Sequence, residues 1–117
     1  MTFDEVTIIF NGEIYNHEEL RTKIFKEGNK IKTKSDTEII LRLYQMYGVN
    51  CVDHLEGMWS FAIFDKSKEI IFISRDRFGE KPLYYYKKDG SFYFGSQTIF
   101  IRELISNNVI NHSKILN

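Results

Sequence analysis

The sequence predicts an α+β fold in which an antiparallel sheet carries helices on one face. Two segments near the start have the apolar spacing of amphipathic helices. The later segments are short, rich in aromatic and β-branched residues, and separated by tight turns. A length of 117 residues with a hydrophobic fraction of 43% fits one small domain with enough apolar material for a core.

Composition excludes several classes of partner. The chain has 16 basic and 16 acidic side chains, so no net charge attracts nucleic acid or an anionic membrane. No apolar run approaches the ~20 residues of a membrane span, and the polar start of the chain is unlike a signal peptide. The single cysteine, Cys51, excludes an internal disulfide and fits a reducing, cytoplasmic setting. The three histidines have no metal-ligand spacing to one another or to Cys51, so we expect no metal site.

The first element is an apolar strand, Val6–Phe10, that runs directly into Asn11 and Gly12. Asn-Gly usually makes a tight hairpin turn, yet no second strand follows here. A helix begins instead at Asn16, so the Asn-Gly pair stands between a strand and a helix without an obvious local reason.

The first helix is predicted over residues 16–27 from its end signals. Asn16 is the expected N-cap, Glu19 lies three residues further on, and Gly28 follows the last turn. The apolar stripe of this helix consists of Leu20, Ile24 and Phe25.

The second helix is predicted over residues 35–47 by the same logic. Ser35 and Glu38 in "SDTE" have the spacing of a capping box, and Gly48 closes the far end. Apolar residues at helical spacing define the side expected to be buried, namely Ile39, Ile40, Leu43, Met46 and Tyr47.

Two β-hairpins follow, and then a last short helix. "MWSFAIFD" and "EIIFISRD" are joined by Lys66, Ser67 and Lys68. "PLYYYKK" and "SFYFGSQ" flank Asp89-Gly90, a strong two-residue turn signal. The last helix is expected over residues 98–106, before a polar tail.

Several segments together resemble one known family. In order along the chain they are "FNGEIYNHEELR", "KSDTEIILRLY", "LEGMWSFAIFD" and "RDRFGEKPLYY". They resemble the glutaminase domain of asparagine synthetases, which are class II glutamine amidotransferases, over roughly residues 6–104. "NGEIYN" and "LEGMWSFAIFD" look like the asparagine synthetase branch. Glucosamine-phosphate and purine-pathway amidotransferases share the Asn-Gly and "SDTE"-like segments with different flanks.

The resemblance implies a fold and a reaction. The family fold is the N-terminal-nucleophile hydrolase sandwich, αββα in four layers with antiparallel sheets, whose N-terminal strands would be missing here. Residues 1–106 would be a partial glutaminase domain, and residues 107–117 the start of a linker. The family domain hydrolyses glutamine to glutamate and ammonia, which an ATP-using synthetase domain uses to make asparagine from aspartate. ATP and magnesium would bind only in that second domain, so no cofactor is expected in this chain.

The resemblance also implies the site residues. The side-chain amide of Asn11 and the backbone N–H of Gly12 would stabilise the oxyanion, at typically ~3 kcal/mol per donor. Glu13 would lie beside the amino-acid end of the substrate, and the Asp36 carboxylate would hold the α-ammonium. Taken alone, Asn11-Gly12 would be a turn and Asp36 a favourable residue in the first turn of a helix.

The nucleophile of the family is not found among these residues. It is an N-terminal cysteine some tens of residues upstream of the Asn-Gly motif, and the arginine that binds the substrate carboxylate also lies upstream. Cys51 is internal and has no free α-amine. Thr2, after loss of Met1, would lie up to ~30 Å from Asn11 along an extended chain. We therefore expect the chain to be inactive on its own.

Other features are open to more than one interpretation. "RDRFGEKPLYY" is expected to be structural: Gly79 and Pro82 shape a turn, and Arg75, Asp76 and Lys81 satisfy polar groups. "GSQTIF" departs from the family, because Gln97 replaces an acid and Ile99 a lysine.

Missing strands would leave an unpaired edge beside Val6–Phe10 and a partly uncovered apolar face, which favour association, such as a homodimer. That face would include some of Trp59, Phe61, Ile63, Ile71 and Ile73. The alternatives to a glutaminase domain of this branch are a non-catalytic fragment that binds glutamine or a protein, and the glutaminase domain of another class II amidotransferase.

Overall fold

The computed structural model describes residues 1–79, 81, 83–88 and 90–95. The elements, in chain order, are β1 (Thr2–Phe3), β2 (Val6–Ile14), α1 (His17–Lys26), α2 (Asp36–Tyr47), a 3₁₀ helix (Gly48–His54), β3 (Gly57–Asp65), β4 (Ile70–Arg75), β5 (Tyr84–Lys88) and β6 (Ser91–Gly95). The predicted last helix (98–106), the linker (107–117) and the residues Pro82, Asp89, Gln97 and Ile99 lie outside the described residues.

The strands form two antiparallel sheets. One sheet has four strands in the order β1-β2-β3-β4, and the other consists of β5 and β6. Both predicted hairpins are confirmed, since β3 pairs with β4 and β5 pairs with β6. The α+β class with antiparallel sheets is therefore confirmed. No helix in the described part of the chain is long and apolar enough to span a membrane.

The hydrophobic core lies between one face of the larger sheet and the two helices. Alternate residues of β2 and β3 point to this face and pack against apolar residues of α1 and α2. The cluster includes Val6, Ile8, Ile14, Leu20, Ile24, Ile39, Ile40, Leu41, Leu43, Trp59, Phe61 and Ile63.

The expectation of an uncovered face is wrong for Trp59, Phe61 and Ile63, which are buried. The reason is that α2 buries a nearly continuous row of residues and so covers more of the sheet than its predicted stripe would. Ile71, on the other face, is 43% exposed.

The start of α1 differs from the prediction. Asn16 occupies the N-cap position, but its side chain makes no capping hydrogen bond and turns toward residues 54–56 instead. Phe25 was predicted in the apolar stripe and is 75% exposed. Leu20 and Ile24 are four residues apart on one line of the helix, whereas Phe25 is rotated by a further ~100° toward solvent.

The start of α2 confirms one half of the predicted capping box. The Ser35 hydroxyl accepts a hydrogen bond from the Thr37 N–H at 3.1 Å. Glu38 does not complete the box: its buried carboxylate accepts from the backbone N–H groups of Lys32, at 2.7 Å, and Thr33, at 2.6 Å. Burial raises the pKa of Glu38, but these hydrogen bonds and the Arg42 guanidinium outweigh burial and hold it below 4.5. Glu38 thus anchors the loop that leads into α2.

The outer edge of β2 is partly covered. Thr2 and Phe3 pair with Thr7 and Val6, and the amino group and carbonyl oxygen of Met1 bond to the backbone of Ile8. The expectation of a bare edge is therefore wrong for residues 6–8, because the chain folds back as a short hairpin. Beyond Ile8, none of the described strands pairs with this edge.

Candidate functional site

Asn11 and Gly12 lie inside β2 and not in a turn. Asn11 is opposite Ser60 and Gly12 opposite Trp59, and the ladder continues as far as Ile14. Gly12 has φ 148°, and a Cβ atom there would lie 2.2 Å from the backbone oxygen of Met58. Only glycine allows this close approach of the two strands. The Asn-Gly pair therefore lets the strand continue up to the start of α1.

The hydrogen-bonding direction of Gly12 follows from the ladder. Both backbone groups of Ile8 bond to Met1, so the Ile8–Ile63 pair is a non-hydrogen-bonded pair of the β2–β3 ladder. Such pairs alternate along antiparallel strands, and Gly12, four residues further on, has the same type. Its backbone N–H therefore points away from β3, toward the outer edge of the sheet.

A carboxylate lies on this same edge. The N–H of Ile14, two residues beyond Gly12, donates to Asp36 Oδ2 at 3.0 Å. The other oxygen, Oδ1, makes no hydrogen bond within the described part of the chain. Two residues of strand span ~6.7 Å. An N–H donor at Gly12 and a carboxylate oxygen at Asp36 are thus placed side by side along one strand edge.

A cleft of about 530 Å³ opens beside this edge. Asn11, Thr37 and Ser60 give it polar groups. Its apolar walls include Ile9, Ala62 and Phe94 from the two sheets, and Leu83 just before β5. Of the sequence-predicted residues, Asn11 lines the cleft directly. Gly12 and Asp36 are the chain neighbours of its lining residues, and Glu13 is exposed outside it.

The end of β2 is held by two sets of contacts. The Asn16 side chain donates to the carbonyl of His54 at 2.9 Å and accepts from the N–H of Glu56 at 3.0 Å. The Tyr15 N–H donates to the Glu56 carbonyl at 2.7 Å. These contacts fix the segment that follows Gly12 against the start of β3. Sequence reasoning assigned Asn16 to a helix cap and so missed this long-range role.

Arg75 and Asp76 make the polar contacts expected of them in the loop after β4. The buried Asp76 carboxylate accepts hydrogen bonds from the backbone N–H groups of Trp59, Phe78 and Lys81, each at 3.2 Å. The Arg75 guanidinium donates to the carbonyl oxygens of Gly79 and Lys81, both at 2.6 Å. These polar groups satisfy one another and hold the loop beside Trp59.

Neither nucleophile candidate lies beside Asn11 and Gly12. Cys51 is fully buried, and burial raises the pKa of its thiol to about 12, so the reactive thiolate is not formed near neutral pH. Thr2 is opposite Thr7, with 3.0 Å between the two hydroxyl oxygens. The extended-chain distance of ~30 Å is therefore wrong: Thr7 and Asn11 are ~13 Å apart along β2. Among the described residues, no group of His, Cys, Asp and Glu could hold a metal ion.

The sequence matches the glutamine amidotransferase domain family over residues 1–116. The chain belongs to this family. The amidotransferase domain is 45% identical over 94 residues to asparagine synthetase [glutamine-hydrolyzing] 3 of Bacillus subtilis, a match that covers 80% of this chain and 15% of that protein. It is 43% identical over 93 residues to the asparagine synthetase [glutamine-hydrolyzing] of Zea mays, covering 79% and 16%. The resemblance to the asparagine synthetase branch is thereby confirmed, and the chain spans less than a fifth of these relatives.

Solved structures give the fold of the amidotransferase domain. The glutamine phosphoribosylpyrophosphate amidotransferase of B. subtilis superposes with a TM-score of 0.65 at 23% identity, covering 76% of this chain and 21% of that one. The allosteric regulatory enzyme of purine biosynthesis superposes with a TM-score of 0.59 at 22% identity, covering 68% and 18%. At such identities the likeness concerns the fold alone, and it confirms the N-terminal-nucleophile type of sandwich.

Proposed function

We propose that this chain forms the glutamine-binding edge of a glutaminase domain in an asparagine synthetase-like enzyme. The observation that supports this best is the arrangement along the outer edge of β2. The Gly12 N–H points out from this edge, Asp36 accepts from Ile14 two residues further on, and the Asn11 side chain lines the adjoining cleft. A donor and a carboxylate at this spacing suit the side-chain amide and the α-ammonium of one glutamine molecule.

Each group has a distinct role in the proposal. The Gly12 N–H and the Asn11 side-chain amide donate to the amide oxygen of glutamine, where negative charge develops as a nucleophile attacks. Asp36 Oδ1 accepts from the α-ammonium, and a hydrogen bond between charged groups is the stronger kind. Glu13 lies beside the same amino-acid end and contributes its negative charge.

The wider reaction is also part of the proposal. The relatives are glutamine-hydrolysing synthetases, so ammonia released at this site would be used by an ATP-dependent synthetase domain to amidate aspartate. ATP and magnesium belong to that domain. We expect the chain of 117 residues to show no glutamine hydrolysis when it is tested alone, because the described residues place no reactive nucleophile beside Asn11 and Gly12.

Ligand binding by the purified chain tests the site. We expect glutamine to bind more tightly than asparagine, whose side chain is one methylene shorter and cannot reach both groups. Asn11→Ala and Asp36→Asn should each weaken glutamine binding by about tenfold, which corresponds to ~1.4 kcal/mol. Titration followed by NMR chemical shifts gives the affinities, and an ammonia assay should stay at the buffer blank.

The chain offers matched controls for both substitutions. Asn50 and Asp53 are exposed residues on the 3₁₀ helix, and Asn50→Ala and Asp53→Asn should leave glutamine binding unchanged. In a longer gene product with glutaminase activity, Asn11→Ala should lower kcat about a hundredfold and spare the ammonia-dependent reaction. Equal affinity for glutamine and asparagine, or wild-type affinity in both site variants, would contradict the proposed site.

A further inference from the structure

The Asn11 side chain has two different ends, and only one of them suits the proposed role. Its Nδ2 group donates hydrogen bonds and its Oδ1 atom accepts them. Stabilising a ligand's carbonyl oxygen requires Nδ2 to face that oxygen. Within the described residues no hydrogen bond holds the Asn11 amide in either orientation. The orientation can therefore be selected by a neighbouring group that bonds to one of the two ends.

Ser60 is placed to make this selection. It is directly opposite Asn11 in the β2–β3 ladder, so the two side chains project from the same face of the sheet. The pair belongs to the hydrogen-bonded type, in which the two Cα atoms are ~5.5 Å apart. Cβ atoms of such pairs are ~5 Å apart, within reach of a contact between a hydroxyl and an amide.

The Ser60 hydroxyl has no other partner in the described part of the chain. Ser60 is only 6% exposed, lines the same cleft as Asn11, and makes no hydrogen bond with any described residue. The Ser60 side chain therefore brings a hydroxyl without a described partner to the same cleft as the Asn11 amide.

We propose that Ser60 is a positioning residue for Asn11. No hydrogen bond joins the two side chains in this structure; the bond forms when the Ser60 hydroxyl rotates to donate to Asn11 Oδ1, and it then turns Nδ2 toward the cleft. Without that donor the amide can flip and present its oxygen to the ligand's carbonyl oxygen, and the two acceptors repel. The hydrogen bond itself does not depend on glutamine, whereas its effect on affinity rests on the proposed glutamine site.

The Asn11 side-chain NH₂ resonance reports the hydrogen bond directly. In ¹⁵N-labelled protein it is assigned by its disappearance in Asn11→Asp. We expect Ser60→Ala to change its chemical shift and speed its exchange with solvent. Ser74→Ala is the matched control, because Ser74 is on the neighbouring strand, and its hydroxyl accepts from Trp59 Nε1. An Asn11 resonance that is the same in wild type and Ser60→Ala overturns the inference.

A double-mutant cycle separates action through Asn11 from a general effect. Ser60→Ala should weaken glutamine binding about fivefold in wild type and have no effect in an Asn11→Ala background. Equal losses in the two backgrounds contradict the inference. Should Ser60→Ala fail to fold, the near-isosteric pair Ser60→Thr and Ser60→Val decides, since only the hydroxyl differs between the two. A wild-type chain that does not bind glutamine refutes the proposed function, while the Asn11 resonance still decides the inference.

Discussion

Replacing Gly12 by alanine tests whether the Asn-Gly pair truly lies within a paired strand. The new Cβ would be 2.2 Å from the Met58 carbonyl oxygen and 2.8 Å from Trp59 Cα, whereas ordinary contacts begin near 3.4 Å. The two strands would have to separate by ~1 Å, and overpacking of this kind costs ~1–3 kcal/mol. The φ of 148° adds a similar conformational cost of ~1–3 kcal/mol. We expect a total loss of ~2–6 kcal/mol.

Such a loss is a large part of the stability expected for a domain of this size. At ~0.05–0.15 kcal/mol per residue, a chain of this length unfolds with ~6–18 kcal/mol. Urea denaturation followed by fluorescence suits the measurement, because Trp59 is the only tryptophan and lies opposite Gly12. Gly28→Ala is the matched control: Gly28 also has a positive φ, 85°, but nothing lies within 4 Å of its added Cβ.

In the control Gly28→Ala, the free energy of unfolding should fall only by the conformational cost of ~1–2 kcal/mol. If Gly12→Ala were no more destabilising than Gly28→Ala, the close approach of β2 and β3 at Gly12 would be refuted, and with it the direction assigned to its N–H.

Two further predictions concern stability and association. The pKa of Glu38 is held below 4.5 in the folded chain. The free energy of unfolding that the Glu38 carboxylate contributes is therefore present above that pH and is lost as the pH falls through the lowered pKa. Urea denaturation at pH 6 and pH 3 should show that the free energy of unfolding changes less with pH in Glu38→Gln than in wild type or in the exposed control Glu19→Gln. An identical change in all three proteins would contradict this prediction. The exposed Ile70 and Ile71 on the edge strand β4 should promote association and binding of a hydrophobic dye, both reduced by Ile71→Lys. A clean wild-type monomer in size-exclusion chromatography, with a sharp melt, would contradict that expectation.

Local signals in the sequence were enough to predict which segments form helices and which form strands. Alternation and aromatic content predicted β3, β4, β5 and β6, and Ser35 and Gly48 marked the ends of α2. These signals work because capping and cross-strand pairing depend on near neighbours in the chain. The true length of β2 was missed, because Asn-Gly has a strong turn preference that pairing with β3 overrides.

Contacts between distant segments could not be read from local patterns. Glu38 has the spacing of a capping box but bonds to the backbone of the preceding loop. Asn16 has the identity of an N-cap but bonds to residues about forty positions away. In both cases a side chain with two possible partners takes the one that tertiary packing brings close. The outward direction of the Gly12 N–H is set in the same way by a long-range feature, the register between β2 and β3.

The placement of Asn11 and Gly12 in β2 also bears on the chemical lifetime of the protein. Asn-Gly pairs lose the side-chain amide when the glycine nitrogen attacks the asparagine side-chain carbonyl and closes a succinimide ring. Here the Gly12 N–H is directed along the sheet plane, while the Asn11 side chain stands out from the sheet face. The folded strand holds the two reacting atoms apart, and an unfolded chain does not. Deamidation would convert the hydrogen-bond donor of Asn11 into a carboxylate at the cleft. A sample that has aged, or has spent time unfolded, should therefore bind ligand less tightly.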